Sequence, residues 1–189
     1  SQEIFDLEMQ RIFEGSWVFV GMASEVPNPN DFLTSHVGRH PVVIMRDQQG
    51  QLGCFINSCR HRGATICHLL KGNKRKHVCQ YHGWTYDSAG KLWYLRDKKE
   101  GDYPEAFERE DHDLARVPRF QEYRGFLFAS MNPGVASLEE HLGDARILIA
   151  AMRAGAKKGV GVDIDPDLAE VSYQRVKAAG LADRIEIYW

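Results

Sequence analysis

Cys59-Arg60-His61-Arg62-Gly63 and Cys79-Gln80-Tyr81-His82-Gly83 are the two stretches that decide how this chain is read. Seventeen residues lie between His61 and Cys79. Each stretch offers one soft thiolate and one imidazole. That donor set suits a cluster of two irons and two sulfides, with Cys59 and Cys79 on one iron and His61 and His82 on the other. Replacing two anionic thiolates by neutral imidazoles makes the cluster less negative, so it accepts an electron at a higher potential than an all-cysteine cluster. Gly63 and Gly83 allow a tight backbone turn that presents amide N–H groups to anionic sulfur. Two Cys and two His also satisfy tetrahedral zinc, so a zinc-stabilised structural domain is a competing reading. Structural zinc sites space their paired ligands C-x2–4-C and H-x3–5-H, whereas a single residue separates Cys59 from His61.

The wording CRHRGAT (59–65) and CQYHGWTYD (79–87) resembles the Rieske iron–sulfur domain of the large (α) subunit of aromatic-ring-hydroxylating dioxygenases. Gly101-Asp102-Tyr103-Pro104-Glu105, His112-Asp113-Leu114, Tyr123-Arg124-Gly125-Phe126-Leu127-Phe128 and Leu138-Glu139-Glu140-His141-Leu142-Gly143 are similar to its benzoate, toluate and anthranilate branch. Rieske proteins of respiratory chains carry an extra cysteine in each loop, joined as a disulfide, where this chain has Ala64 and Tyr81. They also place a serine donor where Trp84 stands, although their tyrosine donor is retained as Tyr86. Fewer donors to the cluster imply a potential near the low end of the Rieske range.

The resemblance implies an oxidoreductase component, with the [2Fe–2S] cluster on Cys59, His61, Cys79 and His82. It would take electrons from a reductase or ferredoxin and pass them to a mononuclear Fe(II) in a following catalytic domain. That iron uses two histidines and a carboxylate. The histidines here are His36, His40, His61, His68, His77, His82, His112 and His141, and none follows His141. His36 and His40 are four apart, but Gly38 and Pro41 oppose a helix there, so they read as surface strand and turn residues. The mononuclear iron is therefore expected in the family but not in this chain. No catalytic residue is assigned, and the chain alone is not expected to hydroxylate. The further partners implied are a catalytic domain or a neighbouring α subunit, in a homo-oligomer. Arg60 and Arg62 would contact a carboxylate of that neighbour, and Tyr81 and Trp84 would pack over the cluster.

Composition narrows the rest. The 189 residues are 43% hydrophobic, enough for a globular core. A net charge of −2 argues against nucleic-acid binding. The longest clean apolar run is Ile147–Met152, far short of the ~20 residues of a membrane helix. No signal peptide is visible at Ser1-Gln2-Glu3. Cys54 and Cys67 have no obligatory partner, and reduced thiols beside this motif point to the cytoplasm. Lys71-Gly72-Asn73-Lys74-Arg75-Lys76-His77 reads first as a solvated loop, with a docking patch for an acidic electron donor as the functional alternative.

The fold class expected is mainly β: a Rieske-type antiparallel β-sandwich with a small cluster-binding subdomain, an N-terminal helix and a short α/β C-terminal segment. Phe5, Met9, Ile12/Phe13 and Trp17 form a helical stripe. Strands are expected over Trp17–Gly21, Phe32–Val37, Val42–Arg46, Leu52–Asn57, Trp84–Tyr86, Lys91–Leu95, Leu114–Val117 and Gly125–Ser130. The Rieske part is placed at residues 1–144.

Residues 145–189 read differently. A helix near Arg146–Met152, a buried strand ending at Asp163 and a helix over Pro166–Ala179 resemble a fragment of a class I S-adenosylmethionine-dependent methyltransferase. There the acid would bond the ribose hydroxyls. The glycine-rich loop of that family is missing, with Glu139–Ala145 in its place, so the tail is not expected to bind the cofactor. A single strand would leave both of its edges unpaired. A methyltransferase-related module carrying a redox-sensing cluster is the other functional alternative.

Overall fold

The computed structural model describes residues 1–96, 103–142, 146–163 and 165–189. Gly101-Asp102 and Gly143-Asp144-Ala145, which belong to the quoted motifs and the expected junction, lie outside the described residues, as does Ile164.

The first compact unit, Ser1–Val135, opens with α1 (Gln2–Glu8). Its strands follow as β1 (Val18–Met22), β2 (Asp31–Val37), β3 (His40–Arg46), β4 (Leu52–Ile56), β5 (Lys71–Asn73), β6 (Lys76–Val78), β7 (Thr85–Asp87) and β8 (Leu92–Tyr94). A short helix α2 (Glu105–Glu108) precedes β9 (Arg119–Tyr123) and β10 (Phe126–Ser130). Three antiparallel sheets result, in the orders β4-β3-β2-β5, β1-β10-β9 and β6-β7-β8. The unit is mainly β and antiparallel, as expected.

One strand explains how the sheets are layered. Val42-Val43-Ile44-Met45 of β3 are all buried, because the central sheet is covered on both faces. Side chains alternate across a strand. Val42 and Ile44 pack with Val20, Leu33, Leu127 and Ala129 on the β1-β10-β9 side. Val43 and Met45 pack with Phe55, Cys59, Cys79, Trp84 and Tyr86 on the other. Each large apolar side chain so buried contributes about 1.5–3 kcal/mol. The second core therefore holds the loops that carry the expected ligands against the central sheet.

Several expectations need correction. Leu114–Val117 is not a strand. It touches β4 through one bridge, Phe55 to Arg116, with Ile56 N–H donating to Ala115 O and Val117 N–H to Cys54 O. Pro118 follows and has no N–H to extend the ladder. The basic run is not one loop. Lys71–Asn73 pairs with β2 and Lys76–Val78 with β7. The N-terminal stripe does not stay in register either. α1 runs into a π-helical turn at Met9–Phe13, closed by Glu14 N–H to Met9 O at 2.8 Å. The widened turn breaks the 3.6-residue period ahead of Trp17, which is buried, while Phe5 and Phe13 are exposed and no residue of α1 is buried.

The second compact unit, Ala136–Trp189, contains α3 (Leu138–Leu142), α4 (Arg146–Arg153), β11 (Gly159–Val162), α5 (Pro166–Ala178) and β12 (Ile185–Tyr188). β12 pairs parallel with β11, so one edge of the expected lone strand is satisfied. α5 is the crossover that a parallel pair requires. Met152, Val176 and Ile185 form its core. The strand is not the buried one expected: Gly159 faces Leu148 and Met152, while Val160, on the opposite face, is exposed. Among the described residues no helix is long and apolar enough to cross a membrane.

Candidate metal centre

The two ligand loops grow from different supports. The first follows β4, and the second is the tip of the β6–β7 hairpin. Their backbones nonetheless close in the same way. Cys59 N–H donates to Ala64 O (2.7 Å) and Gly63 N–H to Cys59 O (2.8 Å). In the second loop Cys79 N–H donates to Trp84 O (2.8 Å) and Gly83 N–H to Cys79 O (3.0 Å). Both rings close over a left-handed glycine, Gly63 at φ 75° and Gly83 at φ 71°. A Cβ there is disfavoured by conformation rather than by space. The histidine stands at the third position of one ring and the fourth of the other. The two imidazoles meet edge to face, with centroids 4.6 Å apart and an interplanar angle of 85°.

All four expected ligands line one cavity of about 380 Å³, together with Arg62, Gly63, Ala64 and Tyr81. Cys59 and Cys79 are buried, His61 is half-buried and His82 is exposed. Among the described residues no three His, Cys, Asp or Glu side chains are grouped to hold a metal ion. A two-iron cluster asks instead for two pairs, one per iron. The donor set and cavity fit such a group.

The surroundings are unequal. Burial pushes the Cys59 thiol above its ordinary value, and the neighbouring Cys79 thiol adds to this against an opposing hydrogen bond from Tyr86. A thiolate at Cys59 therefore needs the positive charge of a metal, which deprotonates a coordinating thiol. Tyr86, fully buried, places its hydroxyl 3.4 Å from Cys59 Sγ and 3.1 Å from the Arg60 N–H that donates to it. Burial pushes the Tyr86 hydroxyl up as well, so it stays a donor. Desolvation, then the charges of His82 and Arg62, hold His61 below its ordinary value. It is thus neutral, as a ligand imidazole must be.

Trp84 is buried and stacks on His61 at 5.1 Å and 12°. Phe107 and His112 back it, at 6.0 and 5.6 Å. Tyr81 departs from expectation: it is 74% exposed and shields little. Arg60 and Arg62 are exposed. The expected surface histidines lie on neighbouring strands, His36 opposite Pro41 and His40 opposite Val37, and neither lines the cavity.

Two supporting groups escaped the sequence reading. Asn57 accepts from the N–H groups of Ile66 (3.2 Å) and Cys67 (2.9 Å) and donates to Cys67 O (2.8 Å). Cys67 Sγ in turn lies 3.1 Å from His77 Nδ1, both residues being buried. Burial pushes Cys67 up to about 12 and His77 down to about 4, so the contact joins a neutral thiol and a neutral imidazole. An Asn at a strand end and a His inside a basic run carry no periodic signal.

The family description "Rieske [2Fe-2S] domain" matches residues 16–118, more than half of the chain. The chain belongs to the Rieske [2Fe–2S] domain family. The Rieske domain here is similar to the toluate 1,2-dioxygenase subunit alpha of Pseudomonas putida, 45% identical over 160 residues that make 84% of this chain and 35% of that one. It is also similar to the 2-halobenzoate 1,2-dioxygenase large subunit of Burkholderia cepacia, 47% identical over 77% of this chain and 32% of the relative. Among solved structures, naphthalene 1,2-dioxygenase from Rhodococcus sp. matches with a TM-score of 0.71 at 32% identity, over 79% of this chain and 34% of that one. The chain thus spans about a third of the length of the relatives it matches.

Proposed function

We propose that Cys59, His61, Cys79 and His82 hold the Rieske cluster, and that the domain relays single electrons within an aromatic-ring-hydroxylating dioxygenase α subunit. One observation carries this reading: two loops with the same hydrogen-bonded closure each present one cysteine and one histidine to a single cavity. When bound, the cluster supplies a one-electron carrier. Tyr86, with its hydroxyl 3.4 Å from the Cys59 sulfur, would donate to the thiolate there and so favour the reduced, more negative state. Trp84 keeps the His61 ring in place and excludes water behind it. His82, exposed, turns toward solvent and toward the electron's exchange partners.

The donor is a reductase or ferredoxin, and the acceptor is a mononuclear iron in a catalytic domain of the same or a neighbouring α subunit of a homo-oligomer. Relatives named for toluate, 2-halobenzoate and anthranilate support an aromatic carboxylate as the substrate of the whole protein. Cys54 and Cys67, the two cysteines outside the ligand set, form no disulfide and fit a reducing, cytoplasmic setting. The test is anaerobic purification with metal, sulfide and EPR analysis. Two irons, two labile sulfides and a reduced-state signal of low average g are expected per chain. Stoichiometric zinc without sulfide overturns the reading.

A further inference from the structure

No disulfide joins the two ligand loops, since all four cysteines are free. Apart from the cluster itself, non-covalent contacts therefore set the loop separation. The hairpin β6–β7 that carries the second loop has His77 and Tyr86 as directly paired residues. Opposite residues of an antiparallel pair present their side chains on the same face. Both of these reach across to the first loop. Tyr86 Oη meets Cys59 Sγ and the Arg60 N–H, where that loop begins. His77 Nδ1 meets Cys67 Sγ, just beyond the point where it ends.

The geometry points to His77 as a positioning residue: through Cys67 it forms, with Tyr86, a two-point clamp that fixes the first ligand loop against the hairpin bearing the second. Each partner is itself held. The Asn57 carboxamide fixes the backbone of Cys67 on both its N–H and C=O. The Phe32 and His77 rings meet edge to face, with centroids 5.3 Å apart at 87°. Phe32 belongs to the central sheet and to the core that also holds Cys67, so the clamp is referred to that sheet. His77 Nε2 is buried with no hydrogen-bond partner among the described residues.

This inference rests on the proposed ligand set. Its test uses the loaded protein and the variants Cys67→Ala, His77→Phe, the double variant and Cys67→Ser. The rate of cluster bleaching in chelator is read first, then the EPR g-values and linewidth of the reduced protein. Loss of an outer partner of a metal ligand typically weakens metal binding about 10–100-fold. Cys67→Ala and His77→Phe should each bleach about tenfold faster and broaden the EPR signal. The double variant should be no faster than the worse single one. Cys67→Ser, which keeps a donor for Nδ1, should retain the native signal. If Cys67→Ala does not fold, His77→Phe carries the same test with the ring shape preserved. Native bleaching and EPR in both single variants, multiplied rates in the double, or equal damage from serine and alanine would each overturn the clamp. A wild-type protein that takes up no iron and sulfide would instead refute the ligand set.

Discussion

The two ligand loops share a backbone and differ in nearly everything around it. Both close through an amide pair at 2.7–3.0 Å over a left-handed glycine. The first loop is anchored at its start by Tyr86 and beyond its end by Asn57 and His77, and its histidine lies against a buried tryptophan. The second stands at a hairpin tip, with exposed His82 beside exposed Tyr81. Closure and anchorage are thus separate devices. Closure places a cysteine and a histidine within each loop; anchorage decides which histidine is fixed and which faces solvent.

Removing the ligands probes what the loops share. His61→Ala and His82→Ala should abolish the low-g EPR signal equally, despite their different burial, because each removes one bond from the same iron. Iron and sulfide assays on both variants check this. A full cluster in either one would break the equivalence of the loops.

The second test probes what they do not share. Trp84 and Tyr81 flank His82 in sequence, but only Trp84 is buried. Trp84→Ala should cost about 3–5 kcal/mol of stability by emptying a core site. Tyr81→Ala, a surface change, should stay within about 0.5 kcal/mol. Urea unfolding of the two variants measures both. Comparable losses would mean that Tyr81 also packs over the site and that the second loop is anchored after all.

The legibility of the fold and site follows the same division. Each proposed Cys/His pair lies within four residues of sequence, so its spacing could be read directly. β2, β3 and β4 were legible too, as short runs rich in apolar residues, because both faces of their sheet meet a core. What could not be read was created by register between distant segments. His77 becomes a partner of Cys67 only once β6 pairs with β7. β5 has three exposed residues, so no periodicity announces it; main-chain pairing to β2 and Asn73 Nδ2 donating to Asp31 Oδ1 at 2.7 Å hold it. In the second unit the methyltransferase resemblance would give Asp163 a ribose-bonding role, although no cofactor binding was expected there; its Oδ1 accepts from the Asp165 N–H.

The smallest expected effect concerns the glycines that close the rings. Alanine in a left-handed conformation costs about 1–2 kcal/mol, and Gly63 and Gly83 differ in φ by only a few degrees. Gly63→Ala and Gly83→Ala should therefore destabilise the protein by nearly the same amount. At about 2–4 °C per kcal/mol for a chain of this size, each should lower the melting temperature by several degrees. Space separates them only slightly. A Cβ on Gly63 finds nothing nearer than Ser58 Oγ at 3.7 Å, while one on Gly83 meets Arg96 Cδ at 3.3 Å. That arginine atom belongs to a flexible side chain and can yield by a few tenths of an ångström, so the second variant should be lower by a degree or two at most. A large difference in either direction would show that the two rings are not equivalent closures, and that anchorage reaches into the backbone itself.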